Sequence, residues 1–95
     1  MIFPGTNYPQ VVKDPNEVIS VPIDWSRELG SDSISTAAIT VPSGITLDTT
    51  STISPVVTAW LSGGTIDTDY DVLCRMVSVG GLTLDFTFTV AVRAR

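Results

Sequence analysis

Ninety-five residues carry ten acidic and five basic side chains, a net charge of −5, with 43% hydrophobic and only 16% charged residues. A chain of that length builds one core with no room for a second domain, and its hydropathy argues against disorder. There is no histidine and a single cysteine, Cys74, which excludes an internal disulfide, a two-cysteine zinc site and the usual general base.

Lys13, Arg27, Arg75, Arg93 and Arg95 form no run or stripe, so nucleic acid is not an expected partner. No stretch approaches the roughly 18 apolar residues of a membrane span. The opening MIFPGTNYPQ lacks the basic and apolar regions of a cleaved signal, so neither a membrane nor a cleaved signal is expected. So low a charge content suggests that partners cover some of the surface.

Residues 1–17 contain Pro4, Pro9 and Pro15 and show no period, which predicts an extended N-terminal arm. Its apolar side chains Ile2, Phe3 and Tyr8 need a surface, either their own sandwich or a neighbouring subunit, and the neighbour is the expectation. The domain is then residues 18–95. Ile19, Val21, Ile23 and Trp25 alternate with Ser20, Pro22 and Asp24, a half-buried strand that Pro22 assigns to a sheet edge. RELGSDS reads as a loop and SISTAAITVP as a strand, and Pro42, Ser43 and Gly44 form a turn before a short strand at 45–47. DTTSTIS is a loop or a poor edge strand, and VVTAWLSGG is a strand stopped by its glycines.

Two longer runs follow. Tyr70, Val72, Cys74 and Met76 alternate with Asp71, Leu73, Arg75 and Val77, and Leu84, Phe86, Phe88, Val90 and Val92 alternate with Thr83, Asp85, Thr87, Thr89 and Arg93. Gly80-Gly81 between them predicts a hairpin. About six or seven short strands without helical periodicity define an all-β, immunoglobulin-like antiparallel sandwich, with Trp25, Trp60, Phe86 and Phe88 expected to anchor the core.

Candidate chemistry is sparse. Asp67, Asp69 and Asp71, with Asp48, could offer oxygens to calcium, but their spacing matches no ligand loop, and a solvated acidic turn is expected with no metal or cofactor. Cys74 falls on the inward set without a base, as a small buried hydrophobe does. Asp24, Glu28 and Asp32 read as solvated charges at a strand end and loop rather than an acid–base pair. Tyr70 resembles the corner tyrosine of sandwiches. Arg93 and Arg95, on the tail of the last strand, could pair with acids on a partner.

The segments 13–29 (KDPNEVISVPIDWSREL), 39–47 (ITVPSGITL) and 59–93 (AWLSGGTIDTDYDVLCRMVSVGGLTLDFTFTVAVR) carry K-D-P-x-E, D-W, V-P-x-G, W-L-S-G-G-T, Y-x-V and a final hairpin ending in V-R. In that order they resemble the small structural proteins of tailed bacteriophages of the fibre-tail adaptor type. The resemblance implies a non-enzymatic, immunoglobulin-like virion protein. It would be assembled in the host bacterial cytoplasm, be present in several copies, and join a tail or neck ring to fibres through its arm and exposed strand edges. Capsid decoration or a head fibre is the structural alternative. A carbohydrate-binding module would need Trp60 and Tyr8 exposed on one plane.

Overall fold

A computed structural model describes residues 2–4 and 9–94. Its elements are strands β1 (Gln10–Lys13) and β2 (Ile19–Asp24), a one-turn helix α1 (Ser26–Leu29), and strands β3 (Ile34–Thr40), β4 (Ile45–Ile53), β5 (Val56–Gly63), β6 (Thr68–Ser78) and β7 (Thr83–Val92). They form a four-stranded sheet in the order β1-β7-β6-β3 and a three-stranded sheet in the order β2-β5-β4. The β2-β5-β4 and β3-β6-β7 groupings are those of the B-E-D and C-F-G strands of an immunoglobulin sandwich. Here the first strand lies beside the last, parallel to it, with Gln10 opposite Thr89 and Lys13 opposite Val92.

Alternation builds the core. Tyr70, Val72, Cys74 and Met76 of β6 and Phe86, Phe88, Val90 and Val92 of β7 face Val21 and Ile23 of β2 and Val57, Ala59 and Leu61 of β5, all buried. Trp25 meets Phe86 edge-on at 6.4 Å, and Phe86 stacks on Phe88 at 6.3 Å. Such ring pairs add about 1 kcal/mol each to what their burial contributes. Leu73 and Val77 sit on the outer face, half-buried, opposite Thr87 and Thr83.

Three sequence expectations change. Trp60 is not in the core: Val57, Ala59 and Leu61 take the inward positions of β5, so period-two alternation puts Trp60 outside with Thr58 and Ser62. The loop expected after Trp25 contains α1, whose Glu28 and Leu29 N–H groups donate to the Trp25 carbonyl, with Leu29 buried beneath. The segment 48–54 is not separate from the strand before it; β4 runs through to Ile53 as a sheet edge, with an irregularity between Leu47 and Thr49.

The first 17 residues are also more than an arm, since β1 lies inside them. Ile2 forms an isolated parallel bridge to Ile23, donating to the Pro22 carbonyl at 2.9 Å and accepting from Asp24 N–H at 2.8 Å. The segment therefore contacts both sheets, β2 of one and β7 of the other. Tyr8 and Arg95 lie outside the described residues. Among the described residues no helix is long and apolar enough to cross a membrane.

Candidate interaction surfaces

The molecule is 41 Å along its longest axis, and its two ends are built differently. At one end a buried lysine ties the turn after β1 to the end of β5. Lys13 is 0% exposed, its stem lies inside the sandwich, and its ammonium donates to the carbonyls of Gly63 at 2.7 Å, Asp14 at 2.8 Å and Pro15 at 3.4 Å. The following turn closes on itself. Asp14 N–H donates to Glu17 Oε1, and Asn16 N–H donates to Asp14 Oδ1.

Beside it, the Tyr70 hydroxyl accepts from Thr65 N–H at 2.8 Å, the corner geometry expected from sequence, and its contacts with Thr65 lower its pKa. One glycine makes room for the ring and another for Val92 beside it. Gly44, at φ +103°, would place a Cβ 2.9 Å from Tyr70 Cε1, and Gly64, at φ +99°, would place one 2.7 Å from Val92 Cγ2. The K-D-P-x-E, V-P-x-G, S-G-G-T and Y-x-V patterns thus meet in space as one lock. Their spacing serves the fold.

The opposite end is apolar and presented on tied turns. Ile53 is 76% exposed, Val79 68% and Leu82 47%. Val79 N–H donates to the Ser33 carbonyl, Ile34 N–H donates to Ser54 Oγ, and Gly80 N–H donates to the Asp32 carboxylate. The β4–β5 turn, the β6–β7 turn and the start of β3 are thereby joined to one another. The Ser78 hydroxyl, then the Ser33 and Gly80 N–H groups, hold the Asp32 carboxyl below its usual range against some desolvation. Turn tips ordinarily favour polar residues and glycine, so large aliphatic side chains set this end apart from the other. Sequence reading passed over Ile53, Val79 and Leu82 because Ile53 ends one strand while Val79 and Leu82 lie in a turn distant from it in the chain.

Several of the other singled-out residues are structurally occupied. Arg93 donates to Asp69 Oδ1 at 2.7 Å and to the Val92 carbonyl, so its guanidinium already has an acid within the chain. Thr89 donates to Asp71, Ser62 to Asp48, and Ser26 N–H to Asp24. Among the described residues no three metal-ligating side chains converge. Arg75 makes a two-pronged pair with Asp85, at 2.8 and 2.9 Å. A shallow depression of about 410 Å³ is lined by Pro9, Gln10, Asp69, Thr87 and Thr89. Arg27 sits 4.6 Å above the Phe3 ring. Trp60 has Ser20 and Thr49 as its ladder neighbours, so its row offers no second aromatic for a sugar platform.

Burial pushes the Cys74 thiol up to about 11, slightly offset by the Trp25 indole, whose N–H otherwise lacks a hydrogen bond of good geometry. At pH 8 alkylation of Cys74 is therefore expected to be at least about a hundredfold slower than for a free thiol, which titrates near 8.5. It should recover in denaturant. Fast alkylation of the folded chain would contradict the burial.

The fold is a small immunoglobulin-type sandwich with exposed apolar side chains, Ile53, Val79 and Leu82, at one end. The chain belongs to the podophage GP4 fiber-tail adaptor protein gp77 family, whose model matches residues 13–91, which implies a component of the virion. The sandwich is also similar to the crystal structure of the cysteine protease inhibitor EhICP2 from Entamoeba histolytica. The TM-score is 0.61 at 11% identity, covering 97% of this chain and 92% of that one. At that identity the likeness concerns the fold alone. Among curated proteins none matches the sequence.

Proposed function

We propose that this chain is a non-enzymatic adaptor that connects fibres to the tail or neck of the virion. The match to the adaptor family over residues 13–91 carries that reading. Side-chain chemistry supports it: the only thiol is buried, and Asp32, Asp69, Asp71 and Asp85 serve turn caps and internal hydrogen bonds. The end bearing Ile53, Val79 and Leu82 is the contact surface for a tail or fibre subunit. The segment carrying Ile2 and Phe3, lying on the β2 edge, extends the contact.

The test is incorporation. Particles assembled without this chain should lack stably attached fibres, and the purified chain should bind those particles in fixed stoichiometry and restore attachment. Particles that carry a full fibre complement without it would refute the proposal. Binding to the capsid shell instead would favour the decoration reading.

A further inference from the structure

The turn between β6 and β7 carries the exposed Val79 and Leu82, and every backbone N–H from Ser78 to Leu82 has an acceptor. Ser78 donates to the Leu82 carbonyl at 2.8 Å, Val79 to the Ser33 carbonyl at 2.9 Å and Gly81 to the Ser78 carbonyl at 3.2 Å. The other two depend on Asp32. Gly80 N–H donates to both carboxylate oxygens at 3.1 Å. Leu82 N–H donates to Ser78 Oγ at 2.9 Å, and the Ser78 hydroxyl donates in turn to Asp32. Ser33 N–H donates to the same carboxylate at 2.8 Å. Asp32 is itself anchored, because its N–H donates to the carbonyl of buried Leu29 at 2.9 Å.

The chain carries the mark of this contact at Gly80. Gly81 has a φ of +99°, where glycine is favoured, but Gly80 has no positive φ that would call for one. A Cβ on Gly80 would lie 2.5 Å from Asp32 Oδ2, so the glycine there admits the carboxylate. A residue that reads in the sequence as a solvated loop charge is committed to three donors.

We propose that Asp32 is the positioning residue of the apolar end: its carboxylate ties Gly80 and, through Ser78, Leu82 to the core at Leu29, and so holds Val79 and Leu82 in the arrangement that a tail or fibre subunit binds. The part played in binding rests on the adaptor reading above, and the part played in holding the turn does not. Hydrogen bonds to a carboxylate are stronger than those between neutral groups. A turn ordered in advance by such bonds spares the partner the cost of ordering it on binding.

Amide exchange in the isolated chain tests the tie. In Asp32→Ala, exchange at Gly80 and Leu82 should quicken at least about tenfold, while Val72 and Phe88 in the core strands keep their rates. Gly80→Ala should lower the melting temperature of the unmodified chain, and by roughly half as much or less in the Asp32→Ala background, where the colliding carboxylate is gone. Unchanged exchange at Leu82, an equal increase in the core strands, or the same melting loss in both backgrounds would each overturn the proposal. Asp32→Ala should also weaken binding to particles lacking the chain at least about tenfold. Tyr70→Phe, which removes the hydrogen bond to Thr65 at the opposite end, should lower stability and leave that binding unchanged. Binding by Asp32→Ala equal to that of the unmodified chain, or an equal loss in Tyr70→Phe, would refute the positioning role. If the unmodified chain binds no particle, the adaptor reading fails, and the exchange and melting results still decide whether Asp32 holds the turn.

Discussion

Lys13→Met is expected to lower stability by about 2 kcal/mol while leaving the fold in place. The substitution keeps the buried stem's length and removes the donors that hold the Gly63 and Asp14 carbonyls at 2.7 and 2.8 Å. A charge-assisted hydrogen bond contributes about 1.5–3 kcal/mol, and a carbonyl left unpaired away from water costs about 1–3 kcal/mol. Relief from burying an ammonium offsets part of that loss, which is why the net effect is smaller than the sum. For a domain whose total stability is about 5–15 kcal/mol the change is large. Urea denaturation would show it as a lower midpoint at unchanged slope. An unchanged midpoint would mean that the clasp contributes nothing, and the convergence of four sequence patterns on it would need another reason.

The second large effect concerns binding. Val79→Asp combined with Leu82→Asp should abolish incorporation into particles, weakening attachment by roughly thirtyfold or more if each side chain anchors about 1–2 kcal/mol. Both residues are exposed, at 68% and 47%, and the bond from Val79 N–H to the Ser33 carbonyl is a backbone one that survives the change. Thermal stability should therefore move by no more than about 0.5 kcal/mol. Loss of incorporation with an intact melt would place the contact at this end. Normal incorporation would move it to the β2 edge carrying Ile2 and Phe3.

Local pattern made much of the architecture legible. The period of two in 70–77 and 83–93, with Gly80-Gly81 between, predicts the β6–β7 hairpin and its inward set because strand faces depend only on parity. Parity failed at Trp60 only through the choice of set. Val57, Ala59 and Leu61 make the more apolar face, and one tryptophan does not outweigh them. The corner role of Tyr70 was legible too, since the hydrogen bond to Thr65 spans few residues.

Tertiary structure alone decided the rest. Lysine is read as a surface residue, and the carbonyl of Gly63, fifty residues away, joins those of Asp14 and Pro15 in making its burial tolerable. The parallel pairing of β1 with β7 joins opposite ends of the chain, and no local period encodes it. Ile53, Val79 and Leu82 are unremarkable in their local sequence and come to one end because Val79 and Gly80 N–H groups donate to Ser33 and Asp32 and Ile34 N–H donates to Ser54. Sequence determined which residues face inward, because alternation is a property of each strand. The fold determined which outward residues stand together, because that depends on contacts between strands distant in the chain.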